Sequence, residues 1–202
     1  AAAESVPFVK TGGLADVVDD LSRGLARRGH AVTLTLPLYA GIDPRESGLR
    51  PLKAGIAVPV GSRMEPARLW QGEREGVRLI FIEHENYFGR LGPYGYRGYE
   101  FDDNDERFIF FARAVLEAAR RLDLRPDIVH AHDWHAGLLA AYLKLIYPGD
   151  PYFASVRSVL TIHNLAYQGL FPRETLAKAG FDAQDFRFDR LTFEPEAIAG
   201  RS

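Results

Sequence analysis

A pair of adjacent glycines directly before a strongly periodic helix is the most constraining feature of this sequence. Residues 10–16 read K-T-G-G-L-A-D, and the next apolar residues recur at the spacing of one helical face: Leu14, Val17, Val18, Leu21 and Leu25. Gly12 and Gly13 have no Cβ, so a ligand can approach their backbone closely. The unpaired N–H groups and the positive dipole end of the first turn favour an anion, and Lys10 adds a full charge. The segment predicts an anion-binding turn, although Gly-Gly alone is also typical of a tight turn with a solvated lysine.

The composition limits the class of protein. With 202 residues and 47% hydrophobic content, the chain can bury a full core as one domain. A formal net charge of −2 argues against nucleic acid or an anionic membrane surface as the main partner. The absence of cysteine excludes disulfide bonds and thiolate chemistry. No signal peptide or membrane-spanning run is visible, so we expect a cytoplasmic protein.

Strands and helices alternate along the chain. The predicted strands are 30–36, 56–60, 67–71, 77–83, 127–132 and 155–162, and the predicted helices are 14–28, 105–122 and 136–147. Strands 67–71 and 77–83 are joined by the polar turn 72–76 and form a hairpin that returns to the main sheet. This order predicts an α/β fold, with a Rossmann-like parallel sheet, flanking helices and a β-hairpin insertion.

Polar and charged residues follow the ends of three apolar segments. Lys10 follows residues 6–9, the sequence H-D-W-H at 132–135 follows one predicted strand, and His163 with Asn164 follows another. In an open parallel α/β sheet, ligands bind outside the carboxyl ends of the strands. The sequence therefore predicts one crevice that contains a lysine, the carboxylate of Asp133 and a histidine.

Two segments could suggest a metal site. Residues 103–105 have the form D-x-D, but acids at a helix N-terminus are explained by capping and dipole stabilisation, each worth roughly 0.3–1 kcal/mol. His130, His132 and His135 are not accompanied by a helix-borne H-E-x-x-H, and a buried histidine satisfied by hydrogen bonds is more common than a ligand. We predict no bound metal.

The segment 86–101 is unusually aromatic for a linker. It contains glycines together with Tyr87, Phe88, Tyr94, Tyr96, Tyr99 and Phe101. Aromatic rings on a glycine-rich loop can form an apolar platform for the face of a sugar. A loop pinned to the surface by its own aromatic rings fits the same composition, so both interpretations stay open.

Three segments together resemble the bacterial glycogen synthase and plant starch synthase family. They are residues 10–18 (KTGGLADVV), 130–136 (HAHDWHA) and 161–169 (TIHNLAYQG), and they occur in the family's order. The resemblance implies a metal-independent retaining glucosyltransferase of the two-domain GT-B architecture. Such an enzyme extends an α-1,4-glucan from ADP-glucose, with no cofactor beyond this donor substrate.

The resemblance extends over essentially all of residues 1–202, but only as the N-terminal, acceptor-side Rossmann-like domain. It implies that the C-terminal nucleotide-binding domain is a missing partner and that most of the family's first strand is lacking. We expect these residues alone to be inactive in glucosyl transfer, although they can bind glucan weakly.

The resemblance also implies roles on the donor side of the site. Lys10 is expected to be catalytic and to contact the sugar-nucleotide phosphates. Gly12 and Gly13 are expected to allow close backbone approach, and Asp16 to lie near the donor sugar.

On the sugar side, the resemblance implies catalytic roles for His163 and Asp133. His163 is expected at the anomeric centre, acting by position and electrostatics, while Asp133 holds the acceptor or the reacting sugar. Asn164 is expected to bind sugar hydroxyls, and Tyr94 to line the cleft.

Other functions remain open. A glucan-binding module without activity, or a related retaining GT-B glycosyltransferase, would share the general layout. A dinucleotide-binding oxidoreductase is the weaker alternative, because no G-x-G-x-x-G follows the first strand.

Overall fold

The structure, a computed structural model, describes residues 1–182. The strands are β1 (Val32–Pro37), β2 (Arg50–Pro51), β3 (Ile56–Val60), β4 (Arg63–Arg74), β5 (Val77–Glu83), β6 (Gly95–Tyr96), β7 (Tyr99–Glu100), β8 (Ile128–His132) and β9 (Arg157–Thr161). The α-helices are α1 (Gly13–Arg27), α2 (Glu85–Phe88), α3 (Asn104–Arg121), α4 (Asp133–Ala141) and α5 (Thr175–Ala179). Helices flank mixed β-structure, which confirms the predicted α/β class.

The predicted hairpin returns to the main sheet, as expected. Strand β5 pairs with β1 in parallel and with β4 in antiparallel orientation, while β2 and β3 both pair with β4. The predicted turn 72–76 is too long at its start, because β4 continues through Gly72 to Arg74. Only Glu75 and Gly76 form the turn, with φ of 50° and 78°, the left-handed pair that a type I′ hairpin requires.

The first two residues join the two parallel strand pairs. The amino group of Ala1 donates to the carbonyl of residue 130 at 2.7 Å, and the Ala1 carbonyl accepts from the N–H of residue 132 at 3.2 Å. Bonding to the residues on either side of Ala131 is the pattern of parallel strands. On the other side, the Ala2 N–H donates to the Thr35 carbonyl at 3.2 Å. Strand β9 pairs in parallel with β8, so β1, the N-terminal residues, β8 and β9 present their carboxyl ends at one edge.

Helix α3 is the centre of the hydrophobic core. Its aromatic run from Phe108 to Phe111 is buried, and the helix packs against β3, α4 and α5. The predicted helix 136–147 differs in detail: α4 begins at Asp133 and passes into a π-helical turn at Tyr142–Ile146. No helix within residues 1–182 combines the length and apolarity needed to cross a membrane.

A buried arginine fastens the aromatic segment 86–101 to α3. The Arg107 guanidinium is fully buried and donates to the Tyr87 carbonyl at 2.7 Å, the Pro93 carbonyl at 3.0 Å and Asn104 Oδ1 at 2.6 Å. It also lies over the ring of Phe101, 4.8 Å from the centroid. Burial lowers the pKa of Arg107 below its ordinary value, and these acceptors compensate for the cost of removing the charge from water.

Replacing Arg107 by leucine is expected to lower the free energy of unfolding by about 3 kcal/mol, because the buried Tyr87 carbonyl and the half-buried Pro93 carbonyl lose their donor and a buried unpaired acceptor costs roughly 1–3 kcal/mol. Urea unfolding followed by tryptophan fluorescence measures the change. Arg121→Leu is the matched control, since this arginine is exposed at the end of the same helix. Equal losses in the two variants would contradict the role of the buried bonds.

Candidate functional site

The glycine pair lies at the N-terminus of α1, beside an open space. Gly12 directly precedes the helix, and a Cβ built on Gly12 or Gly13 would meet nothing within 4 Å. Lys10 Nζ lies 2.8 Å from Asp16 Oδ2, and both side chains are about half exposed, at 52% and 48%. The structure therefore brings a cation, an acid and the unpaired N–H groups of a helix N-terminus together at one accessible point.

A buried carboxylate that the sequence analysis missed holds this turn in place. Glu4 is only 2% exposed, and it accepts hydrogen bonds from the backbone N–H of Thr11 and from Thr11 Oγ1, the latter at 2.7 Å. It also accepts from the hydroxyl of Tyr94 at 2.5 Å. The available signal was an acid placed between apolar residues before the glycine pair, since a buried carboxylate must be hydrogen-bonded.

Tyr94 connects the Lys10 turn to the end of β8. Its hydroxyl donates to Glu4, and its ring stacks on His135 with a centroid distance of 4.6 Å. Burial, reinforced by the negative charges of Glu4 and Asp133, raises the pKa of Tyr94 well above its ordinary value. The hydroxyl therefore stays protonated and acts as a donor. Tyr94 thus contacts both the acid that holds the Lys10 turn and a residue in the first turn of α4, while its expected role in lining the cleft stays a prediction.

The ends of β8 and β9 are joined through Asp133 and two histidines. Asp133 has a φ of 55°, a left-handed conformation that is costly for a non-glycine residue and is typical of functional sites. Its Oδ1 accepts the backbone N–H of His163 at 2.7 Å, and His132 Nδ1 lies 3.0 Å from His163 Nε2. Asp133 is buried, whereas His163 is partly exposed at the surface of the site.

Of the neighbouring histidines, His130 bonds to a protein group, whereas the buried Nδ1 of His135 has no hydrogen-bond partner among the described residues. His130 Nε2 lies 2.7 Å from Thr161 Oγ1, and burial lowers the pKa of His135 to about 3. Among the described residues, no group of three or more histidines and acids is arranged to hold a metal ion.

The acids of the D-x-D segment form ion pairs, and Asp105 also lies in the first turn of α3 as expected, where its Oδ1 accepts the Glu106 N–H at 2.7 Å. Asp103 precedes α3 without a side-chain cap bond and pairs with Arg90 at 2.6 Å. Asp105 pairs with Lys178 at 2.7 Å and accepts from Thr175 at 2.8 Å. These acids therefore fasten the aromatic segment and α5 to the start of α3.

The side chain of Asn164 bonds within its own turn. Its Oδ1 accepts the N–H of Ala166 at 2.9 Å, which closes a turn directly after His163, and its side chain is exposed. Four of the other predicted residues form two bonded pairs, Lys10 with Asp16 and Asp133 with His163. Between the pairs, Thr11 bonds to Glu4 and Glu4 to Tyr94, whose ring stacks on His135 in the helix that begins at Asp133.

Substitution of Glu4 by glutamine is expected to release the glycine turn. A hydrogen bond to a charged group is worth about 1.5–3 kcal/mol, so the Thr11 amide should exchange its hydrogen about ten to a hundred times faster. Hydrogen-exchange mass spectrometry of peptides covering residues 9–14 measures this. Glu46→Gln, at an exposed acid, should leave exchange there unchanged. Unchanged exchange in the Glu4 variant would show that the carboxylate does not hold the turn.

Because burial lowers the pKa of His132, we expect the protein to lose stability in acid. This pKa falls from 6.5 to about 3, so between these values the unfolded chain binds a proton that the folded chain does not. The free energy of unfolding therefore falls as the pH drops through this window, at up to about 1.4 kcal/mol per pH unit for this group. His132→Asn should flatten the slope, while His30→Asn, at an exposed site, should preserve it. An identical slope in wild type and His132→Asn would refute the assignment.

The chain is similar to proteins of one family. Residues 1–198 match the family model described as starch synthase catalytic domain. The chain is 45% identical over 194 residues to the glycogen synthase of Elusimicrobium minutum, covering 96% of this chain and 40% of the relative. It is 42% identical over 193 residues to the glycogen synthase of Syntrophotalea carbinolica, with coverage of 96% and 40%.

A solved structure is similar throughout the described fold. The catalytic domain of starch synthase IV from Arabidopsis thaliana, bound to ADP and acarbose, matches with a TM-score of 0.85 and 34% identity. The match covers 94% of this chain and 38% of that chain. The chain thus spans about two fifths of the length of the curated relatives it matches. It belongs to the starch synthase catalytic domain family.

Proposed function

We propose that the protein to which this chain belongs is a glycogen or starch synthase. It transfers glucose from ADP-glucose to the non-reducing end of an α-1,4-glucan, with retention of configuration. The relatives named glycogen synthase and the similar structure bound to ADP and acarbose support this function. The observation that carries the proposal is the chain of contacts from the open N-terminus of α1 through Thr11, Glu4 and Tyr94 to His135. His135 lies in the helix that begins at Asp133, the residue bonded to His163.

The donor diphosphate binds at the glycine turn. The backbone around Gly12 and Gly13 is open to a close approach, and the helix N-terminus and Lys10 both favour negative charge. Without phosphate, Asp16 holds the Lys10 ammonium over this turn. When phosphate binds, Lys10 turns to it, and the carboxylate of Asp16 becomes available to a hydroxyl of the donor sugar.

The reacting sugar lies against His163. The bond from the His163 N–H to Asp133 fixes the backbone at the end of β9, and the contact with His132 orients the imidazole. A carbonyl and an imidazole held in this way stabilise positive charge at the anomeric carbon without forming a bond to it. Asn164 supplies an exposed amide for sugar hydroxyls beside this position.

We further propose that residues 1–202 form the acceptor-side domain and that a C-terminal domain supplies the rest of the nucleotide site. These residues alone are then expected to show no chain extension with ADP-glucose and a maltooligosaccharide. Closure of two domains provides proximity worth roughly 7–11 kcal/mol, which one domain lacks. Extension at a rate near that of the full-length protein would contradict this division of the site.

In the full-length protein, Lys10→Ala is expected to reduce transfer from ADP-glucose at least a hundredfold, because an electrostatic group aimed at developing charge is worth about 3–4 kcal/mol. Steady-state incorporation of labelled glucose into glycogen measures the rate. Lys53→Ala, at an exposed lysine outside the site, is the control. A rate equal to wild type would leave Lys10 as a solvated residue, and glucan binding without turnover in the wild type would favour a non-catalytic module.

A further inference from the structure

We propose that the β6–β7 hairpin is an outer subsite for the α-glucan acceptor, with Tyr96 and Tyr99 as its sugar-binding surface. The proposal rests on the proposed glucan synthase function and adds a subsite to it. It also distinguishes between the two interpretations of the aromatic segment that the sequence left open. Part of the segment is pinned down by its own rings, whereas its tip exposes two rings to solvent.

The hairpin presents both tyrosines on one face. Arg97 and Gly98 form the two-residue turn, with φ of 52° and 86° as in a type I′ hairpin. Tyr96 and Tyr99 are directly paired across the strands, so their side chains project from the same side. Tyr96 is 47% exposed and Tyr99 is 81% exposed. The guanidinium of Arg97 lies 5.2 Å from the centroid of the Tyr96 ring.

The base of the hairpin is held tightly, so the exposed tip has a defined position. The Tyr94 carbonyl accepts from the Phe101 N–H at 3.0 Å and from Asn104 Nδ2 at 2.9 Å. A Cβ on Gly95 would lie 2.0 Å from the Tyr99 carbonyl oxygen, so only glycine allows the strands to approach this closely. Arg90 lies over the ring of Phe101, 5.1 Å from its centroid.

The hairpin is continuous with the candidate site. Strand β6 begins at Gly95, the residue directly after Tyr94, whose hydroxyl is bonded to Glu4. An acceptor chain that leaves the site past Tyr94 therefore meets the hairpin next. Short acceptors end before this point, whereas longer ones reach the exposed rings.

The chemistry of the tip suits a glucan. A glucose ring has an apolar face that stacks on an aromatic ring and a polar rim that needs hydrogen-bond partners. The two tyrosine rings provide the apolar surface, while their hydroxyls and the exposed Arg97 and Glu100 provide donors and an acceptor. A partner of this chemistry explains why two large rings stay in water at the edge of the site.

The test uses the full-length protein and acceptors of increasing length, from maltotriose to maltoheptaose and glycogen. Tyr99→Ala and Tyr96→Ala are expected to raise KM for the long acceptors about five- to tenfold, as the loss of an aromatic contact implies. KM for maltotriose, KM for ADP-glucose and kcat should stay unchanged. Tyr99→Phe should keep most of the affinity because the ring remains. Met64→Ala, at a residue that is 62% exposed on β4, is the control.

Two outcomes would overturn the subsite. One is an unchanged KM for every acceptor in the alanine variants. The other is an equal change in KM for short and long acceptors, which would indicate that the tyrosines contact the rest of the protein and not the outer part of the glucan. Affinity electrophoresis in glycogen-containing gels measures glucan binding independently of turnover. If the wild-type protein transfers no glucose, but glycogen in the gel slows its migration and slows that of Tyr99→Ala less, the subsite stands and the proposed function fails. If transfer occurs and retardation is unaffected by either alanine variant, the subsite fails and the proposed function stands.

Discussion

The candidate site depends on the hydrogen bonds that the buried carboxylate of Glu4 accepts. This carboxylate joins Thr11 in the glycine turn to Tyr94, which lies ninety residues further along the chain than Glu4. A carboxylate buried to this degree needs hydrogen-bond donors from every side, because an unsatisfied charge in the interior costs several kcal/mol. The same bonds that satisfy Glu4 therefore set the position of the turn relative to the aromatic segment.

The parallel strands determine which segments meet around this carboxylate. Ala1 pairs with β8, and β8 with β9, so the residues after each strand emerge at one edge. The left-handed conformation of Asp133 then lets α4 begin immediately after β8, without a loop. This keeps the Asp133 carboxylate within reach of the His163 backbone, at a cost in strain that is consistent with a functional role.

The sequence predicted the features that depend on local patterns. Periodicity located α1 and α3, and the polar residues after the strands singled out Asp133 and His163, which the structure joins by a hydrogen bond. The length of β4 was underestimated because Gly72 resembles a turn residue, although only the conformations at Glu75 and Gly76 decide where the strand ends. The position of Glu4 among apolar residues signalled a buried acid, but its contact with Tyr94 could not be predicted, because no local pattern encodes a bond between residues so far apart in the chain.

A double-mutant cycle on Glu4 and Tyr94 in the full-length protein tests this account most directly. The measured quantity is kcat/KM for glucosyl transfer from ADP-glucose in wild type, Glu4→Gln, Tyr94→Phe and the double variant. If the carboxylate and the hydroxyl act as one unit, the double variant should lose little more activity than the worse single variant. Losses that multiply, as for independent sites, would contradict the claim that Glu4 organises the site through Tyr94.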